Sequence, residues 1–261
     1  RVPACAGKRS LSWPGSRPTT TTRLEQGRKI APSATVIDAI ARALNLDAAG
    51  RTHLGHLFGP GSPTASHSTP TVQRVRPGLH QLLDEFDHLP ALILGRRTDV
   101  LASNRLARAL LTDFDQLRPK ERNYARWVFL TDQARDLFLD WDAQARAVVD
   151  NLRLDAGRYP DDRATQELVH DLKEKSRPFR QWWDEHRVYQ RTFGSKHFRH
   201  PLVGDLTVDY ETLTFPGEAD QTLFLYRTEP GTPSREAMDL LSSWAIAPAD
   251  NGHRSAAPDR P

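Results

Sequence analysis

Arginine and glutamine side chains near the end of a helix can read base edges and grip phosphates, and Thr22-Arg23-Leu24-Glu25-Gln26-Gly27-Arg28 has that pattern. Arg23 and Gln26, spaced i and i+3, share a helix face. Both residue types pair with guanine or adenine edges, and Arg28, past the glycine, suits a phosphate. Other spacings point away from catalysis. His197 and His200 are spaced His-x-x-His, but no neighbouring cysteine or His-Glu pair completes a zinc set. Asp140-Trp141-Asp142 and Asp161-Asp162 fall where solvated helix faces and caps occur. No glycine-rich phosphate loop, Gly-x-Ser-x-Gly elbow or Cys/His arrangement is present. These features predict a non-enzyme with no catalytic residues, no metal and no cofactor.

The elements around Thr22–Arg28 form a helix end, a glycine stop, a turn and a new helix. In small DNA-binding modules that order puts a recognition helix beside its support. Ser33 stands where it can cap the second helix, whose apolar residues Val36, Ile37, Ile40, Ala41 and Leu44 recur every 3.6 residues. Asn45 is placed to end it in a left-handed conformation. Leu54, Leu57 and Phe58 read as a final short helix. The stretch that follows is rich in Pro, Gly, Ser and Thr and reads as a linker. The expected division is a DNA-binding head at 1–58, a linker at 59–78, a body at 79–245 and a disordered tail at 246–261.

In the body, Leu79–Leu83 reads as helix, and Ala91–Leu94 and Val100–Ala102 as short strands. Asp132 is placed to cap a long helix with the stripe Ala134, Leu137, Phe138, Trp141, Ala145, Val148, Val149 and Leu152, stopped at Gly157. Leu206, Val208 and Tyr210 alternate with polar neighbours, as do Leu223 and Leu225. With Pro216-Gly217 between them they predict a hairpin whose loop exceeds two residues. Thr232-Pro233 opens a last helix reaching Trp244. The expected fold is an all-α helix-turn-helix head followed by an α+β body.

Bulk composition narrows the classes. The single cysteine, Cys5, rules out an intramolecular disulfide and a cysteine-rich zinc site. No apolar run approaches the roughly 20 residues needed to cross a bilayer, and no export signal is evident, so no membrane partner and a cytoplasmic location are expected. The 36 basic and 33 acidic residues nearly cancel, unlike a protein that coats nucleic acid throughout. The basic excess lies between Arg1 and Arg76, which directs any DNA contact to the head.

Residues Ala4–Thr21 do not look like the front of such a head. They carry two prolines and two glycines and no helical stripe, and each proline inside a helix costs about 3 kcal/mol. Back-translated with GC-rich codons and shifted one nucleotide upstream, the segment reads Leu-Arg-Arg-Glu-Glu-Val-Ala-Gln-Leu-Ala-Gly-Val-Ser-Thr-Asp-Tyr-Tyr. That string is a helix, a glycine turn and a capped second helix, and it runs straight into Thr22. A compensated frameshift through the first half of the head is the expectation.

From Thr22 to Leu46 the chain resembles the Cro/C1-type (XRE family) helix-turn-helix, which places Thr22, Arg23, Gln26, Arg28 and Ser33 at double-stranded DNA. From about Leu79 to Trp244 it resembles the ligand-binding domain of MmyB-like transcription regulators. The resembling residues are Pro90-Ala91, Asp99–Ala102 with Asn104-Arg105, Arg122-Asn123 with Arg126 and Phe129, and Trp141. They continue through Leu152-Arg153, Gly157, Asp162, Ser176, Phe179, Trp183, His186 and Val188. Lys196, His200-Pro201, Val203-Gly204, Tyr210-Glu211 and Pro230-Gly231 complete the set. Ser103 departs from it, standing where the family tends to carry an aromatic residue. The resemblance implies a PAS-like α+β domain with an apolar cavity for a small, amphiphilic, fatty-acid-like molecule. Trp141 and Trp183 would help line it, and Asn104, Asn123, Arg126, His186 and His200 would supply its polar contacts. Arginine is the residue best suited to a carboxylate. The implied protein is a bacterial ligand-responsive regulator, with pairing into a homodimer as one route for the signal. The alternative is a small-molecule carrier or enzyme with a non-functional N-terminal remnant.

Overall fold

The computed structural model describes residues 32–47, 50–51, 54–55, 73–86, 88–185 and 192–246. Thr22, Arg23, Gln26, Arg28 and His186, the shifted-frame segment and the tail from residue 247 lie outside them, as do Leu57 and Phe58. The chain divides into two compact units. One comprises Arg1–Gln73, Arg96–Thr98 and Asp142–Arg191; the other comprises Arg74–Gly95, Asp99–Trp141 and Thr192–Pro261.

The described part of the first unit is helical. Helix α1 (Ala34–Ala43) begins after Ser33, whose backbone is extended as an N-cap requires, but whose hydroxyl makes no capping bond. The Ser33 carbonyl instead accepts from the amides of Val36 and Ile37. Asn45 takes the left-handed conformation expected at a helix end, with φ 50°.

Helices α6 (Trp141–Arg158), α7 (Arg163–Lys175) and α8 (Arg177–Asp184) complete this unit, together with the turn Arg96–Thr98. Leu152, Leu168, Leu172 and Phe179 are buried here. The turn is fastened to the helices: the Arg97 amide donates to Asp155, and its guanidinium meets Asp162 at 2.9 Å. Thr165 also donates to Asp162, and these contacts hold the Asp162 carboxyl below its usual range although burial pushes the other way.

The second unit is built on a five-stranded antiparallel sheet in the order β2-β1-β5-β4-β3. Its strands are β1 (Ala91–Leu94), β2 (Val100–Ser103), β3 (Phe193–His200), β4 (Gly204–Phe215) and β5 (Glu218–Arg227). Side chains alternate between faces, so the register assigns each face. On one face Leu83 of helix α2 (Pro77–Glu85) packs on Ala91, Ile93, Ala102 and Leu223. The other carries Leu92, Phe224, Tyr226, Tyr210, Val208, Lys196, Leu206 and Phe198. Helix α9 (Pro233–Ile246) buries Ala237, Met238 and Leu241 and packs on β4 and on α3 (Arg105–Leu110).

Each sheet edge is met at one point by an isolated bridge, which occupies part of its free backbone. Phe138 bridges to Phe198, and the Leu139 amide donates to the His197 carbonyl at 3.0 Å, at the β3 edge. At the β2 edge Asp99 bridges to Asn123, and the Val100 amide donates to the Arg122 carbonyl at 2.9 Å.

Several expectations need correction. The single helix expected from Asp132 to Gly157 is two: α5 (Asp132–Leu137) and α6, separated by extended backbone at Phe138 that pairs with β3. Thr131, not Asp132, caps the first by accepting from the Ala134 amide. Gly157 lies inside the last turn of α6 rather than after it. The hairpin loop is only Pro216-Gly217, because a register shift between Thr214 and Phe215 brings Phe215 opposite Glu218; Gly217 supplies the positive φ of 84°. Helix α2 begins at Pro77, inside the segment read as linker. Strand β3 was not anticipated at all.

Asn104 ties three elements together. Its Oδ1 accepts from the amides of Ala91 and Ala107, and its Nδ2 donates to the carbonyls of Phe86 and Leu89. It is thus both the cap of α3 and the clasp between α2 and β1. Replacing it removes a cap and leaves buried groups without partners. Asn104→Ala should therefore lower stability by roughly 2–4 kcal/mol, read as a reduced urea midpoint.

Candidate functional site

Strand β3 sends Lys196, Phe198 and His200 inward while Ser195, His197 and Arg199 face out. An inward lysine on such a strand is chemically unusual. Lys196 is only 6% exposed, and its Nζ lies 3.2 Å from the Tyr124 hydroxyl and 3.3 Å from the Tyr226 hydroxyl. The rings of Tyr124, Phe138, Tyr210 and Tyr226 surround the amine, with centroids 5.4, 5.8, 5.2 and 5.1 Å from Nζ. Among the described residues no carboxylate pairs with it.

Two opposing effects act on that amine. Ring faces attract a cation by about 0.5–2 kcal/mol each, whereas removing an ammonium from water costs several kcal/mol. Burial wins and lowers the lysine to about 7. The same burial pushes the Tyr124 and Tyr226 hydroxyls up, so both stay protonated.

Helix α4 (Tyr124–Leu130) delivers Tyr124 to this cage. Asn123 caps α4 by accepting from the Arg126 amide at 3.0 Å, and its Nδ2 donates to Asp99 at 2.9 Å. Trp127, from the same helix, packs edge-on against Phe114 and Phe138. Phe138 in turn lies 5.0 Å, ring to ring, from Phe198.

The same unit holds a groove of about 580 Å³. Leu111, Leu137 and Leu202 give it apolar walls, and Arg108, Arg199 and His200 supply basic groups. The acids Asp113 and Asp136 also reach it. Leu137 adjoins Phe138 in sequence, and Phe198 stands between Lys196 and His200 on the inward face of β3. Phe138 thus joins the two regions through the chain: its ring faces the amine at 5.8 Å, and the preceding residue, Leu137, lines the groove. The His200 Nε2 lies 3.0 Å from the Ala109 carbonyl, and the Leu202 amide donates to its Nδ1. Those partners fit a neutral ring with the proton on Nε2. Burial lowers this imidazole, partly offset by the Ala109 contact.

The expected site residues divide between the two units. Asn104, Asn123, Arg126, Trp141 and His200 belong to the sheet unit. The polar atoms of Asn104 engage backbone, and Asn123 engages backbone and Asp99. Arg126 is half-buried on α4. Trp141 is buried, donates from Nε1 to the Val128 carbonyl, meets Phe129 edge-on and lies under the Arg135 guanidinium at 3.9 Å. Trp183 belongs to the helical unit, where it stacks on Phe179 and lies under Arg153, which also donates to its carbonyl.

Lys196 and its three tyrosines escaped the list of expected polar contacts. The signal was present in Lys196-x-Phe198-x-His200, a period-two stripe carrying a lysine on the apolar side. Without β3 assigned as a strand, that parity had no meaning.

A titration follows from the buried amine. Because the folded lysine is depressed, the unfolded chain binds more protons between pH 7 and the ordinary lysine range near pH 10.4. Stability then rises with pH across that window by about 1.4 kcal/mol per unit from this residue alone. Urea midpoints of the wild type and Lys196→Met between pH 7 and 9.5, below tyrosine ionisation, should show the slope in the wild type and its loss in the variant.

No curated protein matches the chain. Residues 75–241 match the family described as MmyB-like transcription regulator ligand binding domain, well over half of the chain, and the protein belongs to that family.

Proposed function

We propose that this ligand-responsive regulator senses a small amphiphile with a fatty-acid-like chain. The observation that carries the reading is the groove of about 580 Å³ in the sheet unit, which combines leucine walls with Arg108, Arg199 and His200. Its size is within the range of small-molecule sites, roughly 300–1,000 Å³. Apolar walls favour a chain by about 25 cal/mol per Å² buried, and basic side chains favour an anionic head. In this reading Asn104 and Asn123 act by fixing α3 and α4, while His200 borders the ligand. The antiparallel sheet with helices against its inner face supports the PAS-like assignment of the body.

The head would supply the output by holding double-stranded DNA through Arg23, Gln26 and Arg28. Ligand binding can change that output only if it has unequal affinity for two arrangements of the protein, and a shift between homodimer and monomer is one such pair. Restoring the shifted-frame helix should raise DNA affinity, and that affinity should fall steeply with salt as phosphate contacts release counterions. Gel-shift titrations of both chains at two salt concentrations check this. Equal binding by the two would remove the frameshift explanation.

Binding itself is tested by titrating dodecanoate into the full chain. Saturable one-to-one binding is expected, and Leu137→Asp, which puts a charge in the groove wall, should weaken it at least ten-fold. No binding of dodecanoate would overturn the amphiphile reading.

A further inference from the structure

Most of the cage around Lys196 is hydrocarbon, and a buried ammonium needs a counter-charge that the described residues do not provide. We propose that Lys196, flanked by the Tyr124 and Tyr226 hydroxyls, is the receptor for the ligand's carboxylate, and that binding draws one proton onto the amine. The proposal rests on the amphiphile reading above and names the point where the head group is held.

Three features of the geometry carry it. First, Nζ and the two hydroxyls converge from β3, α4 and β5 within 3.3 Å, so three hydrogen-bond donors are already gathered at one point. A carboxylate accepts several such bonds at once, and they shorten when donor and acceptor are charged. Second, the titratable groups facing the amine are Tyr124 from α4, Tyr210 from β4 and Tyr226 from β5, while the segment at Phe138 contributes only a ring. None of these is an acid that would compete for the cation. Third, the Phe138 ring faces the cage amine at 5.8 Å while its neighbour Leu137 lines the groove. Rotation of Phe138 would connect them, leaving the ligand's chain against Leu137 and its head at Nζ.

The proton balance is explicit. At pH 8 the ligand arrives as carboxylate and the amine, lowered to about 7, is mostly neutral. Bringing an anion beside it favours the ammonium, so one proton is taken from buffer and the buried pair is formed neutral overall. Below pH 6 the amine is already charged and the uptake disappears. Guanidinium groups do not take up a proton on binding an anion, so an arginine anchor would leave the heat independent of the buffer.

Calorimetric titration of dodecanoate into the full chain, in phosphate and in Tris at pH 8 and again at pH 6, reads the proton directly. The expected result is uptake close to one proton per ligand at pH 8 and close to none at pH 6. Lys196→Met should abolish the uptake and weaken binding at least ten-fold, whereas Arg126→Ala should leave the uptake intact. If the wild type binds with the same heat in both buffers at pH 8, the head group lies elsewhere and only the amphiphile reading survives. If dodecanoate does not bind, both ideas fall. Should Lys196→Met fail to fold, the buffer dependence of the wild type decides alone.

Discussion

A primary amine held inside an apolar sheet face, with aromatic rings and phenol hydroxyls in place of a counter-ion, is the constraint on which the sheet unit turns. Burying such a group costs several kcal/mol unless it is neutralised or paired. The structure meets that cost in part with four rings and two hydroxyls from α4, β4, β5 and the bridging segment at Phe138. Each of those elements is fixed by a specific device. Asn123 caps α4 and thereby sets Tyr124. The Phe138 bridge meets the β3 edge while presenting its ring to Nζ. The β4–β5 pairing sets Tyr210 opposite Tyr226.

A folded domain under no other demand would gain stability from a methionine at this position. Polar groups that cost stability and remain buried are a recurring mark of functional sites. The groove adds to that picture, because Leu137 in its wall adjoins Phe138, whose ring faces the amine. The matched family is a ligand binding domain of transcription regulators, and its match spans residues 75–241. Sensing then has a physical form: an incoming anion changes the charge state of the protein's interior as well as filling a space.

Much of the body was legible in the sequence because its signals are local. The alternation at Leu206, Val208 and Tyr210 gave the face of β4, and Thr232-Pro233 gave the start of α9. The failures share one cause, the dominance of tertiary pairing over local pattern. Phe138 continues the helical stripe of Ala134 and Leu137, but an extended pairing with Phe198 interrupts the helix there. Asn104 and Asn123 were recognisable as important, but their hydrogen bonds to distant backbone and to Asp99 depend on the fold. Lys196 required knowing both that β3 is a strand and which face is apolar.

The central claim is that the Lys196 amine is mostly neutral in the free protein at pH 8 and becomes charged when a carboxylate arrives. Its titration can be followed directly by carbon-detected nuclear magnetic resonance of the lysine Cε, assigned by comparison with Lys196→Met. The account predicts a midpoint near 7 for Lys196 in the free protein, moving upward when dodecanoate is added. A midpoint in the ordinary lysine range near 10.4, unchanged by dodecanoate, would contradict it.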